Sequence, residues 1–253
     1  ATLGLAQALY EKHKVLTYPR TDSRALPEDY IATVKDTLQN LKDTNYGVYA
    51  SKILASDWVK ANKRIFNNAK ISDHFAIIPT SLNPKKLNEV ETKLYDLVTK
   101  RFLAIFFPAA EFLITTRITR VEKEPFKSEG KVMVNPGWQA VYGKSANSND
   151  TDDDSTLLAV TPGQSVATEE VKIANNQTRP PARLNEATLL SAMESAGKLV
   201  EDEELRAAMS AKGLGTPATR AAIIEGLVYE NYLLRVGREL HPTAKAFSLI
   251  TLL

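Results

Sequence analysis

Thr17-Tyr18-Pro19-Arg20-Thr21-Asp22-Ser23 places a phenol two residues before a guanidinium and four before a carboxylate, in a stretch rich in turn formers. A free phenol is a poor nucleophile at neutral pH because its pKa is near 10. A nearby cation favours the phenolate and also draws in an anion. If Tyr18 is chemically active, its target is therefore a phosphate; the alternative is a turn after a strand, with the tyrosine half-buried. Outward from this stretch the pattern is helical. Leu3, Leu5, Ala6 and Leu9 give Ala1 to Tyr10 one apolar face. Val15 to Tyr18 reads as a short strand stopped by Pro19. Pro27 opens a helix carrying Tyr30, Ile31, Val34, Leu38 and Leu41 at helical spacing. A further helix is predicted from Tyr46 to Trp58, an extended stretch from Ile71 to Thr80, and a long helix from Glu89 to Phe106 ended by Pro108.

The period then changes. Phe112, Ile114, Thr116 and Ile118 alternate with Leu113, Thr115, Arg117 and Thr119, which predicts a strand from Glu111 to Lys123. Val132 to Val134, Trp138 to Tyr142, Leu157 to Val160 and Ser165 to Ala174 read as further strands, with Ser145 to Ser155 a polar, flexible loop. After Pro180-Pro181 the helical period returns, in Glu186 to Ala196 capped by Asn185, Glu201 to Ala211, and Ala218 to Tyr229 capped by Thr216. A hairpin about Val236-Gly237-Arg238 and a last helix near Thr243 follow. Helix, helix, hairpin is the order of a winged-helix module, which by itself fixes no function.

Composition narrows the classes. The 253 residues are 43% apolar and 25% charged, an ordinary globular balance with length for two or more domains. There is no cysteine, which excludes disulfides and thiolate metal sites, and the only histidines are His13, His74 and His241. No apolar run approaches the roughly 20 residues of a membrane span, so no membrane partner is expected. No secretory signal is visible and no Met opens the chain, so a cytoplasmic fragment is expected. Net charge is only +2, but basic residues gather in Lys12 to Arg24 and again among Lys52, Lys60, Lys63, Arg64 and Lys70. The acids gather later, in Asp150 to Asp154 and Glu201 to Glu204. This asymmetry suits an anion held on one surface, or simply a solvated face.

Three other constellations carry possible chemistry. Asp152, Asp153 and Asp154 have carboxylates for a divalent cation but lack the glycine and distal glutamate of a calcium loop, so a solvated loop is expected. Gly213-Leu214-Gly215-Thr216-Pro217 leads into a helix and suits either phosphate contact or a plain turn; it is no P-loop, since no Lys-Ser/Thr follows. His74 stands in Ser72-Asp73-His74-Phe75-Ala76-Ile77-Ile78-Pro79-Thr80 at the edge of an apolar run, a place where a lone histidine is usually structural.

Taken together, these segments resemble one family. Ala8-Leu9-Tyr10-Glu11 with Thr17 to Pro27, Asp73 to Thr80, Arg179-Pro180-Pro181 to Leu190, and Gly213 to Glu225 resemble in order and spacing the blocks of type IA DNA topoisomerases, in particular the bacterial topoisomerase III branch. The resemblance covers essentially the whole chain. It implies an α+β multidomain fold: a winged-helix-like (CAP-like) tyrosine domain over 1–107, part of a β-rich gate domain over 108–178, and part of a helical, winged-helix-like base domain over 179–253. It implies that Tyr18 is the nucleophile forming a 5′-phosphotyrosine, that Arg20 clamps the scissile phosphate, and that His74 supports it. Thr219, Lys212, Arg183 and Arg24 would contact DNA, mainly single-stranded. The enzyme would then pass a strand and religate without ATP, relaxing negative supercoils or decatenating DNA at the bacterial nucleoid.

The chain departs from the family in one respect. The acidic Toprim set that holds Mg²⁺ precedes the tyrosine in the family and is absent here. Asp152 and Asp154 have the spacing but lie after the tyrosine, with Ser155-Thr156 where a glutamate is needed. The resemblance thus implies a fragment without its own metal, inactive alone in relaxation, with unpaired β edges open to self-association. A noncatalytic winged-helix module binding DNA or protein is the alternative. A tyrosine recombinase fits less well, because its tyrosine comes late and behind several separated Arg and His positions.

Overall fold

A computed structural model describes residues 2–143, 157, 160–199 and 202–252. Two units separate: Ala1–Pro27, Phe66–Ile77 and Gln177–Leu253 form the first, and Glu28–Ile65 with Ile78–Asn176 the second. The architecture is mixed α+β, with two small antiparallel sheets among several helices in the described residues.

In the first unit, helix α1 (Thr2–Glu11) is anchored by Leu9, which is fully buried. Lys12 and His13 both donate backbone N–H bonds to the Ala8 carbonyl, and Val15 donates to Leu9. The reversal puts Lys14 at φ 57°, the left-handed conformation that ends many helices. Val15 to Tyr18 is extended but joins no named strand, and Ile71 to Thr80 likewise forms none.

In the second unit, the 3₁₀ turn Glu28–Tyr30 leads into α2 (Ile31–Leu41), which buries Val34, Thr37, Leu38 and Leu41 and meets α3 (Gly47–Ala55). Of the stripe predicted in the sequence, Val34, Leu38 and Leu41 are buried, while Ile31 is half-buried and Tyr30 lies in the turn before the helix. Helix α4 (Glu89–Ala104) begins with a capping box: Asn88 accepts from the Glu91 N–H at 2.8 Å, and Glu91 accepts from the Asn88 N–H at 2.9 Å. Tyr46 donates to Asp96 of α4 at 3.1 Å. Burial, then the charge of Asp96, pushes the Tyr46 phenol well above its ordinary range. Beyond Ala104, Phe106 and Phe107 close tight turns before Pro108.

Strands β1 (Glu111–Val121) and β2 (Glu124–Asn135) form a hairpin in continuous antiparallel register from Phe112↔Met133 to Val121↔Glu124. The strand predicted to Lys123 overran by two residues. Glu122 and Lys123 form the turn, at φ 48° and 74°, so a two-residue connection with both residues left-handed is built without the Asn-Gly signal that announces one. Trp138 to Tyr142, predicted as a strand, lies in a 3₁₀ helix (Gly137–Tyr142), because Gly137 at φ 49° turns the chain directly beneath the Pro108 and Ala109 carbonyls. Ser165 to Ala174, predicted as a strand, joins no sheet among the described residues. The strand predicted at Leu157 to Val160, apart from its two ends, and the acidic loop with Asp152, Asp153 and Asp154 lie outside the described residues. Leu113, Ile114, Ile118, Val132 and Val134 of the hairpin stay exposed, and among the described residues no third strand covers either edge.

The last part of the first unit runs α5 (Glu186–Glu194), a short 3₁₀ turn, α6 (Glu203–Lys212), α7 (Arg220–Tyr229), β3 (Leu233–Val236), β4 (Glu239–Pro242) and α8 (Ala244–Leu252). Asn185 caps α5 as predicted, accepting from the Thr188 N–H at 2.9 Å. Arg235 on β3 joins the helices to the hairpin, donating to Glu186 at 2.6 Å and Glu225 at 2.8 Å. The residue before α7 is Thr219, not Thr216, and the helix starts at Arg220. The Thr216-Pro217-Ala218 stretch is spent on a turn in which Thr219 and Arg220 both donate to the Thr216 carbonyl.

Candidate active site

The loop that carries Tyr18 is held at both ends. Val15 and Leu16 before it, and Ala25 and Leu26 after it, are each 1% exposed, and Pro19 within it is also buried. Between these anchors, three hydroxyls bind the loop to the stretch that carries His74. Thr17 donates to the Ala76 carbonyl at 3.1 Å, Thr21 to the His74 carbonyl at 2.8 Å, and Ser23 to the Lys70 carbonyl at 2.8 Å. Ala76 returns a backbone bond to Ala25 at 2.9 Å, and Asn67 one to Leu26 at 2.9 Å. Threonine and serine suit this role because their short hydroxyls reach backbone groups without a ladder. The two stretches are 53 residues apart in sequence at the Thr21–His74 bond, yet they form one surface.

That surface brings Tyr18 and His74 together. Their ring centroids are 4.2 Å apart at 44°. On Tyr18 there is also the ring of Tyr10, 5.4 Å away and edge-on at 81°. Arg20 lies in the same loop. Its Nε is shielded from solvent and has no hydrogen-bond partner among the described residues. A shielded guanidinium nitrogen without an acceptor costs free energy that an arriving anion would recover. Tyrosine, histidine and an arginine short of acceptors thus share one loop system; the arrangement suits nucleophilic attack on an anionic ester.

Of the other predicted positions, Arg24 ends the same loop and Arg183, Lys212 and Thr219 lie in the later segment of the first unit. Arg24 is exposed and pairs with Glu194 at 3.7 Å, a solvated contact of small energetic weight. Arg183 is exposed. The side chain of Lys212 lies outside the described residues. Thr219 is exposed, and its hydroxyl accepts from the Thr216 N–H at 2.9 Å, so it serves the turn before α7. That turn is locked to the end of α5: Leu214 donates to the Met193 carbonyl at 2.8 Å, and Arg220, 6% exposed, donates its Nε–H to the Leu214 carbonyl at 3.1 Å. Gly213 sits there at φ +66°, and a Cβ would lie 2.5 Å from the Met193 oxygen and 2.8 Å from that of Glu194. Gly213→Ala is therefore expected to destabilise the chain by more than about 2 kcal/mol in urea unfolding, since both strain and overlap arise. A midpoint unchanged within error would show that the turn relaxes freely.

Sequence reasoning gave no role to Tyr10, Thr21, Ser23 or Arg220. Thr21 and Ser23 stood inside the quoted motif, and their density of hydroxyls was the available signal. Tyr10 and Arg220 carried none, because a ring contact across eight residues and a buried arginine leave no local pattern. For a metal, the donor set does not fit: among the described residues no group of three or more His, Asp or Glu side chains comes together. No helix of the described residues is long and apolar enough to cross a membrane.

The family described as "DNA topoisomerase" matches residues 1–253. The chain is 42% identical over 258 residues to DNA topoisomerase 3 of Bacillus subtilis and 41% identical over 257 residues to that of Bacillus licheniformis. Each match covers 99% of this chain and 35% of the relative, so the chain spans about a third of the length of these curated relatives. In fold it is similar to full-length topoisomerase I from Thermotoga maritima, with a TM-score of 0.65 at 23% identity, covering 99% of this chain and 38% of that one.

Proposed function

We propose, proceeding from the fact that this chain belongs to the bacterial type IA, topoisomerase III-like DNA topoisomerases, that it supplies the tyrosine half of a DNA strand-cutting site. The observation that carries this reading is Tyr18 in ring contact with His74, with the unsatisfied Arg20 Nε in the same loop. In the reaction, the Tyr18 Oη–phosphorus bond forms as the phosphorus–O3′ bond of a DNA strand breaks. The phenolic proton leaves Tyr18 and a proton ends on the 3′ oxygen, so no net proton is consumed. The 5′ end stays on the tyrosine as a phosphodiester, and attack by the 3′ hydroxyl reverses the step. Because the ester energy is kept in the phosphotyrosine, strand passage and religation need no ATP. Arg20 neutralises the non-bridging phosphate oxygens, and His74 fixes the Tyr18 ring and adds a hydrogen-bonding group beside it.

In this reading residues 1–107 form the tyrosine domain, 108–178 part of the gate and 179–253 part of the base. Arg24, Arg183, Lys212 and Thr219 add contacts to single-stranded DNA that are independent of sequence. Mg²⁺, where the whole enzyme uses it, would be held by a Toprim portion that residues 1–253 do not provide. The protein acts on DNA in the bacterial cytoplasm. The uncovered β1–β2 edges pair with further strands, or with another copy where those are lacking.

The test joins this chain to the Toprim-bearing portion of a relative, incubates the product with a single-stranded oligonucleotide, denatures it and maps the adduct by mass spectrometry. A nucleotide on Tyr18 is expected; an adduct on another residue, or none from a folded, DNA-binding product, would overturn the reading. The winged order of α5 to β4 favours a second reading, a binding module without chemistry. That module would bind DNA through residues 179–253, yield no adduct and be indifferent to Arg20.

A further inference from the structure

Tyr10 has no role in the chemistry above, yet it touches its centre. It stands in the last turn of α1, one residue after Leu9, which is fully buried. The reversal at Lys14 and the Val15–Leu9 bond fix the chain between Tyr10 and the catalytic loop. Tyr10 is 37% exposed, too open for an ordinary core residue. Its ring nevertheless meets Tyr18 edge-on at 5.4 Å, the geometry favoured by the quadrupoles of two aromatic rings.

We propose that Tyr10 is a positioning residue for Tyr18: the Tyr10 ring and the His74 imidazole together hold the Tyr18 phenol in the rotamer from which it attacks. The inference rests on the reading of Tyr18 as nucleophile. A tyrosine on a surface loop samples several χ1 and χ2 wells. Two ring contacts, one from helix α1 and one from the stretch pinned by Thr21, restrict it to one. Holding an attacking atom in place before the substrate arrives raises the rate of the chemical step and leaves binding unchanged. The ring edge of Tyr10 acts, and its hydroxyl does not. Phenylalanine should therefore replace it, and an aliphatic side chain should not.

The experiment measures single-turnover covalent capture of the oligonucleotide by the joined enzyme described above. Tyr10→Phe should capture within about twofold of the parent. Tyr10→Leu should capture roughly three- to tenfold more slowly, the range of one aromatic edge contact, with unchanged affinity for single-stranded DNA. Parental speed in Tyr10→Leu, or equal slowing in Tyr10→Phe, overturns the proposal. Capture that survives Tyr18→Phe overturns instead the reading on which it rests, so the two failures are distinct. A measurement on the unaltered 253-residue chain guards against a variant that does not fold. In its NMR spectrum, the Tyr18 ring protons, identified by their loss in Tyr18→Phe, should show cross-relaxation to the Tyr10 ring. Absence of that contact in the folded chain overturns the proposal without any substitution at Tyr10.

Discussion

Tyr18→Phe in the joined enzyme is expected to abolish covalent capture of single-stranded DNA, a loss of about a thousandfold or more, while binding stays within about threefold. The substitution removes one oxygen and leaves the ring. The contacts to His74 at 4.2 Å and Tyr10 at 5.4 Å are ring contacts and should persist. The hydroxyls of Thr17, Thr21 and Ser23 still pin the loop to the carbonyls of residues 76, 74 and 70. Loss of capture then reports the missing nucleophile and not a displaced loop. Circular dichroism and the unfolding midpoint should match the parent. Capture that persists at a tenth of the parental rate would exclude Tyr18 and direct attention to another hydroxyl.

How much of this was legible in the sequence differs along the chain. The helices of the second unit were, because Val34, Leu38 and Leu41 repeat at helical spacing and Pro108 follows the long helix. The hairpin of β1 and β2 was half legible. Alternation marked β1, but of β2 only Val132 to Val134 was read as strand, and Glu122 and Lys123 adopt positive φ without being glycine or asparagine, so the turn was invisible. The apolar stretch Ser165 to Ala174 looked like a strand because Val166, Val171 and Ile173 suit one. A strand also requires a neighbour to bond to, and sequence pattern cannot supply that. At the site, residue types made Tyr18 and Arg20 candidates, and the roles proposed for them come from the resemblance of the surrounding segments. The fact that His74 meets Tyr18 could not, since it depends on hydrogen bonds that span roughly fifty residues of chain.

Arg20→Ala should slow capture by about 10²- to 10³-fold, the effect of deleting one preorganised donor from developing negative charge. Binding should weaken much less. One lost phosphate contact lowers the slope of log affinity against log salt by about 0.7 for a single strand. The two effects separate because, in the proposed reaction, Arg20 would meet a phosphate in the bound complex but be needed most as charge grows on the phosphate oxygens in the transition state. Arg20→Lys sharpens the test. It keeps the charge and loses the planar fork, so a binding role is restored while two-point support of the phosphate is not. Capture by Arg20→Lys should therefore stay well below the parent even where its salt slope returns to the parental value. The Nε of Arg20 is the atom that decides this: it is shielded and without an acceptor among the described residues, and an ammonium group has no equivalent at that place. Full recovery of capture in Arg20→Lys would mean that charge alone suffices, and that the shielded nitrogen has no part in the reaction.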